Sequence, residues 1–387
     1  MPISPTSKGG RSVDCSDILA RQKRKIMLAI QNSKPVKGGQ TQIANREFGF
    51  NSAFSLTGID SYFTRPNTTT VNPNPNNCWT GYNQATYTLS ANAAAYGNGK
   101  WIAVGQNYSG GDTFYTSTDN ATTWSVLTST SDFVGYDIAY DNGIWIAVGS
   151  GTNETMYISS DNGLNWNSSN LSGSPLNGIA YGNGKWVAVG NATEKLHVST
   201  DNANTWNSVS GLFSGLGSRG NAVASDGNNT WVVVGQGTGS TMYVSTDNAN
   251  TWSSVAISLQ VGFGVAYGNG KWVAVGQSGL GNTVFVSANG VNWTVVPGLF
   301  PSSSSGGGTN NSGGYGVAYA NGTWVAVGTD TQTSRNIFIS TDNAVTWNAV
   351  IPTVNIFIDG EVAYGNGTWV ITTSQNDKIY STKSPTC

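Results

Sequence analysis

Two carboxylates and a recurring set of amides and aromatics are the residues of this 387-residue chain best suited to chemistry. Seven short apolar runs of the WVAVG type recur along it. Nine or ten residues ahead of the Trp of each lies one of Asn92, Tyr136, Asn177, Asn221, Phe263, Tyr315 and Gly360. Flat rings cover the apolar faces of a sugar and amides match its hydroxyls, so such a set fits a glycan, and equally the rim of any neutral, loop-lined opening. Asp137 and Glu361 stand one position further along. Two carboxyls are the equipment for glycoside hydrolysis, provided that the fold sets them at the separation the reaction needs. Arg219, shortly before Asn221, could meet an anion; the plainer reading is a surface arginine. The single histidine, His197, falls in KLHVST at a slot filled elsewhere by Tyr or Phe, and reads as a packing residue. Three cysteines give no metal-ligand spacing, and the G-x-G patterns are turns with no helix after them. Neither a metal nor a nucleotide cofactor is therefore expected.

What must position these residues is a repeat. The Trp opening each apolar run is Trp101, Trp145, Trp186, Trp231, Trp272, Trp324 and Trp369, at separations of 44, 41, 45, 41, 52 and 45 residues. A period in this range, made of short alternating runs and turn residues, predicts an all-β, seven-bladed propeller of four-stranded antiparallel blades. The fifth copy shows the unit. Residues 264–267 form an innermost strand, and Asn269-Gly270 supplies the positive φ of a tight hairpin. Residues 271–276, rich in Ala and Val, form a second strand packed on both faces, 283–287 a third, and a fourth begins at Trp293. With 50 Gly, 14 Trp and only 10% charged residues, the composition also describes short strands joined by tight turns.

The turn between the third and fourth strands is the most regular stretch. It reads STDNATTW from Ser117, SSDNGLNW from Ser159, STDNANTW from Ser199 and Ser245, and STDNAVTW from Ser340. These turns resemble the Asp-box, or BNR repeat, S-x-D-x-G-x-T-W, of sialidase-like propellers, a likeness that spans 78–387. The resemblance implies a scaffold role: Asp119, Asp161, Asp201, Asp247 and Asp342 accept N–H groups of their own turns, and the Trp packs between blades. Ala replaces the Gly in four of these turns, and the fifth copy, SANGVNW, is one residue short and has no Asp; both departures should weaken single turns only. Sialidases of this family hold the substrate carboxylate with three arginines. Residues 78–387 contain only Arg219 and Arg335, so the resemblance carries the fold and not the activity.

The seventh copy ends at Cys387 before a turn Trp, and so lacks its fourth strand. Trp79 is the missing residue, which predicts that the strand following it completes the last blade and leaves no open edge. Cys78 and Cys387 would then arrive at one point, within the roughly 4.4 to 6.8 Å Cα separation of a disulfide.

Residues 1–77 stand outside the repeat as a first domain. They hold ten Lys and Arg against four acids, a net charge of +6, leaving −8 for 78–387. Ser16 could cap a helix over 17–31, with Ile18, Leu19, Ile26, Met27 and Ile30 on one face and Arg21, Arg24 and Lys25 on the other, while Lys23 interrupts the apolar side. Phe48, Phe50, Phe54, Tyr62 and Phe63 follow in an extended, Asn- and Pro-rich strap. Such an arm reads as a docking element, with Arg21, Lys23, Arg24 and Lys25 as its charged contacts, or as a helix packed on its own propeller. No run has the roughly 18 apolar residues of a membrane span, no secretory signal is recognised, and no nucleic-acid motif stands out.

These observations favour a non-enzymatic structural or binding module, a subunit held by its arm on a larger assembly such as a viral particle or microbial surface, with protein partners. The alternatives are a glycan-binding attachment protein using the loop-rich face, and a sialidase-like glycoside hydrolase.

Overall fold

The computed structural model describes residues 79–385 apart from 84–88, 108–111, 130–132, 153, 170, 172–173, 279–280, 282, 301–311, 331–335, 351–357, 359 and 374–377. The expected helix over 17–31, the docking residues Arg21, Lys23, Arg24 and Lys25, and the Cys78–Cys387 pairing lie outside the described residues.

Seven four-stranded antiparallel sheets make up the propeller. The first strand, β1 (Thr80–Asn83), is set apart from the rest of its blade in sequence. Blade 1 is β2 to β5 (Leu89–Gly97, Lys100–Asn107, Asp112–Ser117, Ser125–Ser129) and blade 2 is β6 to β9 (Phe133–Asp141, Ile144–Gly151, Met156–Ser159, Asn167–Ser168). Blade 3 is β10 to β13 (Leu176–Gly182, Lys185–Gly190, Leu196–Ser199, Asn207–Val209) and blade 4 is β14 to β17 (Arg219–Ser225, Trp231–Gln236, Met242–Ser245, Ser253–Ser254). Blade 5 is β18 to β21 (Val261–Gly268, Lys271–Gln277, Val284–Ser287, Trp293–Val296) and blade 6 is β22 to β25 (Gly313–Ala320, Thr323–Thr329, Ile337–Ser340, Asn348–Val350). Blade 7 takes β26 to β28 (Val362–Gly365, Thr368–Thr372, Lys378–Thr382) and is completed by β1, with Thr80 opposite Ser381. Closure at Trp79 is therefore as the sequence predicts. Among the described residues there is no helix.

The second strand of each blade is the core. Val273, Ala274 and Val275 of β19 are fully buried, as are the equivalent triplets of the other blades, because both faces of a central strand press on neighbouring sheets. Each such Val contributes about 1.5–3 kcal/mol by leaving water. Apolar clusters bridge adjacent blades: Trp79 packs with Val325, Ile337 and Trp369, joining blades 6 and 7. Where blade 7 meets blade 1, a Cβ on Gly365 would lie 2.1 Å from the Cβ of Tyr96, so glycine is what lets that tyrosine sit over the hairpin.

The turns between third and fourth strands follow one hydrogen-bond plan. In the turn from Ser245 the hydroxyl donates to Asp247 Oδ1 (2.8 Å) and accepts the N–H of Ala249 (2.9 Å), while Asp247 accepts the N–H and hydroxyl of Thr251 (2.8 and 2.7 Å). The side chain and N–H of Thr123, Thr205 and Thr251 hold Asp119, Asp201 and Asp247 at a pKa of about 2, and Asn165 does the same for Asp161. In blade 5, Asn289 takes the place of the missing Asp, its Oδ1 accepting the N–H groups of Val291 and Asn292 (3.0 and 2.9 Å). The shortened fifth turn is thus built on an amide.

Two features of these turns escaped the sequence reading. The Asn after each Asp ties the blades together: Asn248 Oδ1 accepts the indole N–H of Trp231 (3.0 Å), and its Nδ2 donates to the carbonyl of Asn183 at the hairpin tip of the preceding blade (3.2 Å). Asn120, Asn162 and Asn343 repeat both bonds. The second feature separates Gly from Ala. Trp166 and Trp293 donate to the carbonyls of Gly163 and Gly290 (3.2 and 2.8 Å), whereas Trp124, Trp206, Trp252 and Trp347, whose turns carry Ala121, Ala203, Ala249 and Ala344 at φ of 59 to 67°, leave their indole N–H buried and unbonded.

Candidate functional site

The innermost strands β2, β6, β10, β14, β18, β22 and β26 contact one another in sequence around the ring and line its central channel. Six of them carry one β-bulge each, and the bulged residues are Asn92, Tyr136, Asn177, Asn221, Phe263 and Tyr315. The set picked out by its spacing is therefore a set of extra residues, which bend each strand and re-aim its side chains. In blade 7 the corresponding steps, Gly360 and Glu361, come just before β26.

The amides of this set are engaged with the protein itself. Asn92, Asn177 and Asn221 donate to the carbonyls of Gly135, Gly220 and Gly262, each on the next blade, at 2.7, 2.8 and 2.7 Å. They act as rivets between inner strands, and their Nδ2 groups already have partners. Arg219 turns its Nε to Asn221 Oδ1 (3.1 Å), so the expected anion contact is also braced on this ring. Two of the three aromatic members, Phe263 and Tyr315, come from adjacent blades and lie 5.1 Å apart at 34°, whereas Tyr136 stands alone on blade 2. His197 is on β12, the third strand of its blade, and is bonded to Ser208 (3.1 Å); burial lowers its pKa, as befits a neutral packing residue.

One step past the bulges, the channel wall carries Ala93, Asp137, Gly178, Ala222, Gly264, Gly316 and Glu361. Small residues predominate because the blades crowd here: a Cβ on Gly264 would stand 2.7 Å from the carbonyl oxygen of Tyr315. Asp137 and Glu361 are the exceptions. Asp137 accepts its own blade's Ile138 N–H (2.7 Å) and the Ile179 N–H of blade 3 (2.8 Å). The Glu361 side chain has no hydrogen-bond partner among the described residues. Both residues are half-buried in the channel wall. Burial pushes Asp137 up to about 7 against the pull of its two N–H partners. Burial, and then the charge of Asp137, pushes Glu361 well above the carboxylate range. The fold thus sets two acids at the same step of the channel wall, on blades 2 and 7, with blade 1 between them.

The face bearing the loops after second and fourth strands has its own architecture. In the connection from β13 to β14, Phe213 is buried against Tyr243 (5.0 Å, 72°), its N–H donates to the Tyr243 hydroxyl (3.2 Å), and Thr238 N–H donates to Ser214 O (2.9 Å). Beyond this anchor Gly215 and Gly217, at φ of 102° and 73°, flank Leu216, which is fully exposed (104%). Gly298-Leu299-Phe300 repeats the anchor after β21, with Phe300 buried against Phe338 (4.9 Å, 78°). The shared Gly-Leu-Phe triplet was a readable signal for both.

Comparison with known proteins shows the fold alone. No family model matches the chain, and no curated protein matches it in sequence. Among solved structures it is similar to YCF48 bound to a D1 peptide (15% identity, TM-score 0.57, covering 79% of this chain and 95% of that one). It is also similar to a virginiamycin B lyase from Staphylococcus aureus bound to quinupristin (12%, TM-score 0.59, 79% and 98%). A third is the GH74 xyloglucanase of Xanthomonas campestris (14%, TM-score 0.57), of which this chain covers 53%.

Proposed function

We propose that the chain is a non-enzymatic protein-binding module that meets a partner with its loop-bearing face, while the basic arm, residues 1–77, docks the body on a larger assembly such as a particle surface. The observation that carries this reading is Leu216. A leucine fully exposed on a loop this firmly anchored loses little freedom when it enters a partner's pocket, which is how a small contact gains affinity. Arg219, on the same connection, adds a charge for orientation. A propeller of the same fold, YCF48, has been captured with a peptide, which is consistent with this use of the architecture. An enzymatic reading has less support: the arginines of the sialidase mechanism are missing from 78–387, and the ring amides that would hold a sugar are engaged in joining blades.

Site-specific photo-crosslinking from position 216 in the protein's native source tests the proposal. It should yield a discrete protein adduct that is absent when the crosslinker sits at Leu164, an exposed turn residue on the other face. Turnover of fluorogenic glycosides, or glycan binding abolished by Tyr136→Ala or Phe263→Ala, would refute it.

A further inference from the structure

The dipeptide Asn-Gly occurs nine times in the chain, at Asn98, Asn142, Asn162, Asn177, Asn183, Asn269, Asn289, Asn321 and Asn366. Its two residues can react with each other. The Gly nitrogen attacks the side-chain carbonyl carbon of Asn, the side-chain nitrogen takes up the proton of the Gly amide and leaves as ammonia, and a five-membered imide closes. Water then opens the imide. Addition at the former side-chain carbonyl gives Asp, and addition at the main-chain carbonyl gives isoaspartate, whose backbone runs through the former side chain. Glycine favours the attack because it sets no side chain beside the nitrogen, and water is the only co-reactant.

The fold sorts the nine. Three lie in crowded places: a Cβ on the following Gly163, Gly178 or Gly290 would stand 2.7 Å from Ile102 Cδ1, 2.8 Å from Asn221 O and 3.2 Å from Thr230 Cγ2. The side chains of Asn162, Asn177 and Asn289 are each tied by two or more hydrogen bonds. The other six are exposed tips of the hairpins between first and second strands. They share one turn geometry, with Asn at φ of 43 to 47° and Gly at 74 to 86°, and open space beside every Gly. What distinguishes them is the side-chain amide. Asn142 and Asn183 donate to Asn202 Oδ1 and Asn229 Oδ1 (3.2 and 3.3 Å), and Asn321 donates to the Tyr364 hydroxyl. Among the described residues the side chains of Asn98, Asn269 and Asn366 have no hydrogen-bond partner.

We propose that Asn98, Asn269 and Asn366 are the sites at which the folded protein deamidates and forms isoaspartate, ahead of the other six. A tip amide held by a neighbour must be released before its carbonyl carbon can swing to the Gly nitrogen, and such a bond slows the reaction roughly two- to ten-fold. The three sites are also joints between blades. Asn162, Asn343 and Asn120, each on the next blade, donate their Nδ2 to the main-chain oxygens of Asn98, Asn269 and Asn366 (3.5, 3.2 and 3.1 Å). In isoaspartate that oxygen belongs to a free carboxylate beside a main chain one methylene longer, which a two-residue hairpin turn does not accommodate, so the joint is displaced. The Asn366 joint is the one that crosses from the last blade to the first.

Incubation of the full chain in mildly alkaline buffer, then digestion with an acid protease and peptide mass spectrometry with enzymatic methylation of isoaspartate, tests this. Deamidation at Asn98, Asn269 and Asn366 should run roughly two-fold or more ahead of that at Asn142, Asn183 and Asn321, with Asn162, Asn177 and Asn289 slower still. In the urea-unfolded chain the order should vanish, because the dipeptide is the same throughout. Tyr364→Phe removes the acceptor of Asn321 while keeping a ring packed on Trp369, and should bring Asn321 alone into the fast group. Equal rates at all six tips, an order that persists in urea, or an unchanged Asn321 in Tyr364→Phe overturns the proposal. Should Tyr364→Phe not fold, the wild-type order, native against unfolded, decides by itself.

Discussion

Asn248 joins two blades by accepting the indole N–H of Trp231 and donating to the carbonyl of Asn183. Trp231 is fully buried, so removal of its acceptor leaves a donor with nowhere to go. Asn248→Ala should cost about 1–3 kcal/mol of stability, measured by denaturant unfolding, whereas alanine at the exposed Asn228 should cost little.

The Ala and Gly turns make opposite predictions. Gly163 has φ of 77°, and a Cβ there would meet Ile102 Cδ1 at 2.7 Å, so Gly163→Ala should destabilise by about 1–2 kcal/mol. Ala249→Gly relieves a left-handed alanine at φ of 59° and opens the geometry in which Trp166 finds its carbonyl, at the loss of one buried methyl worth about 0.8 kcal/mol. A net gain of about 1 kcal/mol in thermal or denaturant unfolding is expected.

Acid unfolding should be dominated by the Ser-x-Asp turns. Their carboxyls are held near 2 by hydrogen bonds, so they favour the native state above the ordinary carboxylate pKa and lose that contribution as pH falls from about 4 toward 2. Asp201→Asn copies the amide that blade 5 already uses at Asn289. Circular dichroism across this range should show a folded variant with a shallower dependence on acid.

His197 supplies a second, separate acid effect. Burial lowers its pKa, so the native state prefers the neutral ring, and stability should decline as pH falls below about 6.5. The equivalent third-strand positions hold Tyr115, Tyr157, Tyr243, Phe285 and Phe338. His197→Phe should fold and lose this component, and the wild-type imidazole, the only one in the chain, can be followed by NMR titration without assignment.

The architecture was legible because each blade repeats its own evidence: a Trp, an Asn-Gly turn and a Ser-x-Asp turn at matching offsets leave one arrangement of strands. The step that carries Asn92, Tyr136 and Phe263 was legible for the same reason, but its bulged geometry was not, since a bulge is a property of two paired strands. Whether Asn177 faced a ligand or the carbonyl of Gly220 depended on how closely blade 4 approaches blade 3. How near Asp137 stands to Glu361 depends on the curvature of the whole ring. The anchor under Leu216 has a visible signature in the two Gly-Leu-Phe triplets, but these stand 87 residues apart, two blades rather than one, and so fall outside the single-blade period.

The pairing of Thr80 with Ser381 has a consequence for how the molecule is made. During synthesis β1 emerges before the other described strands of the propeller and its partner β28 after them, so the first-born strand must wait, its backbone donors and acceptors bonded only to water, while six blades form beside it. Local hairpins can appear early, but the ring cannot shut until β28 has left the ribosome. The final step of folding should therefore be a slow, non-local docking event. The waiting edge of β1 is where a chaperone, or a misplaced strand from a second nascent chain, would have its opportunity.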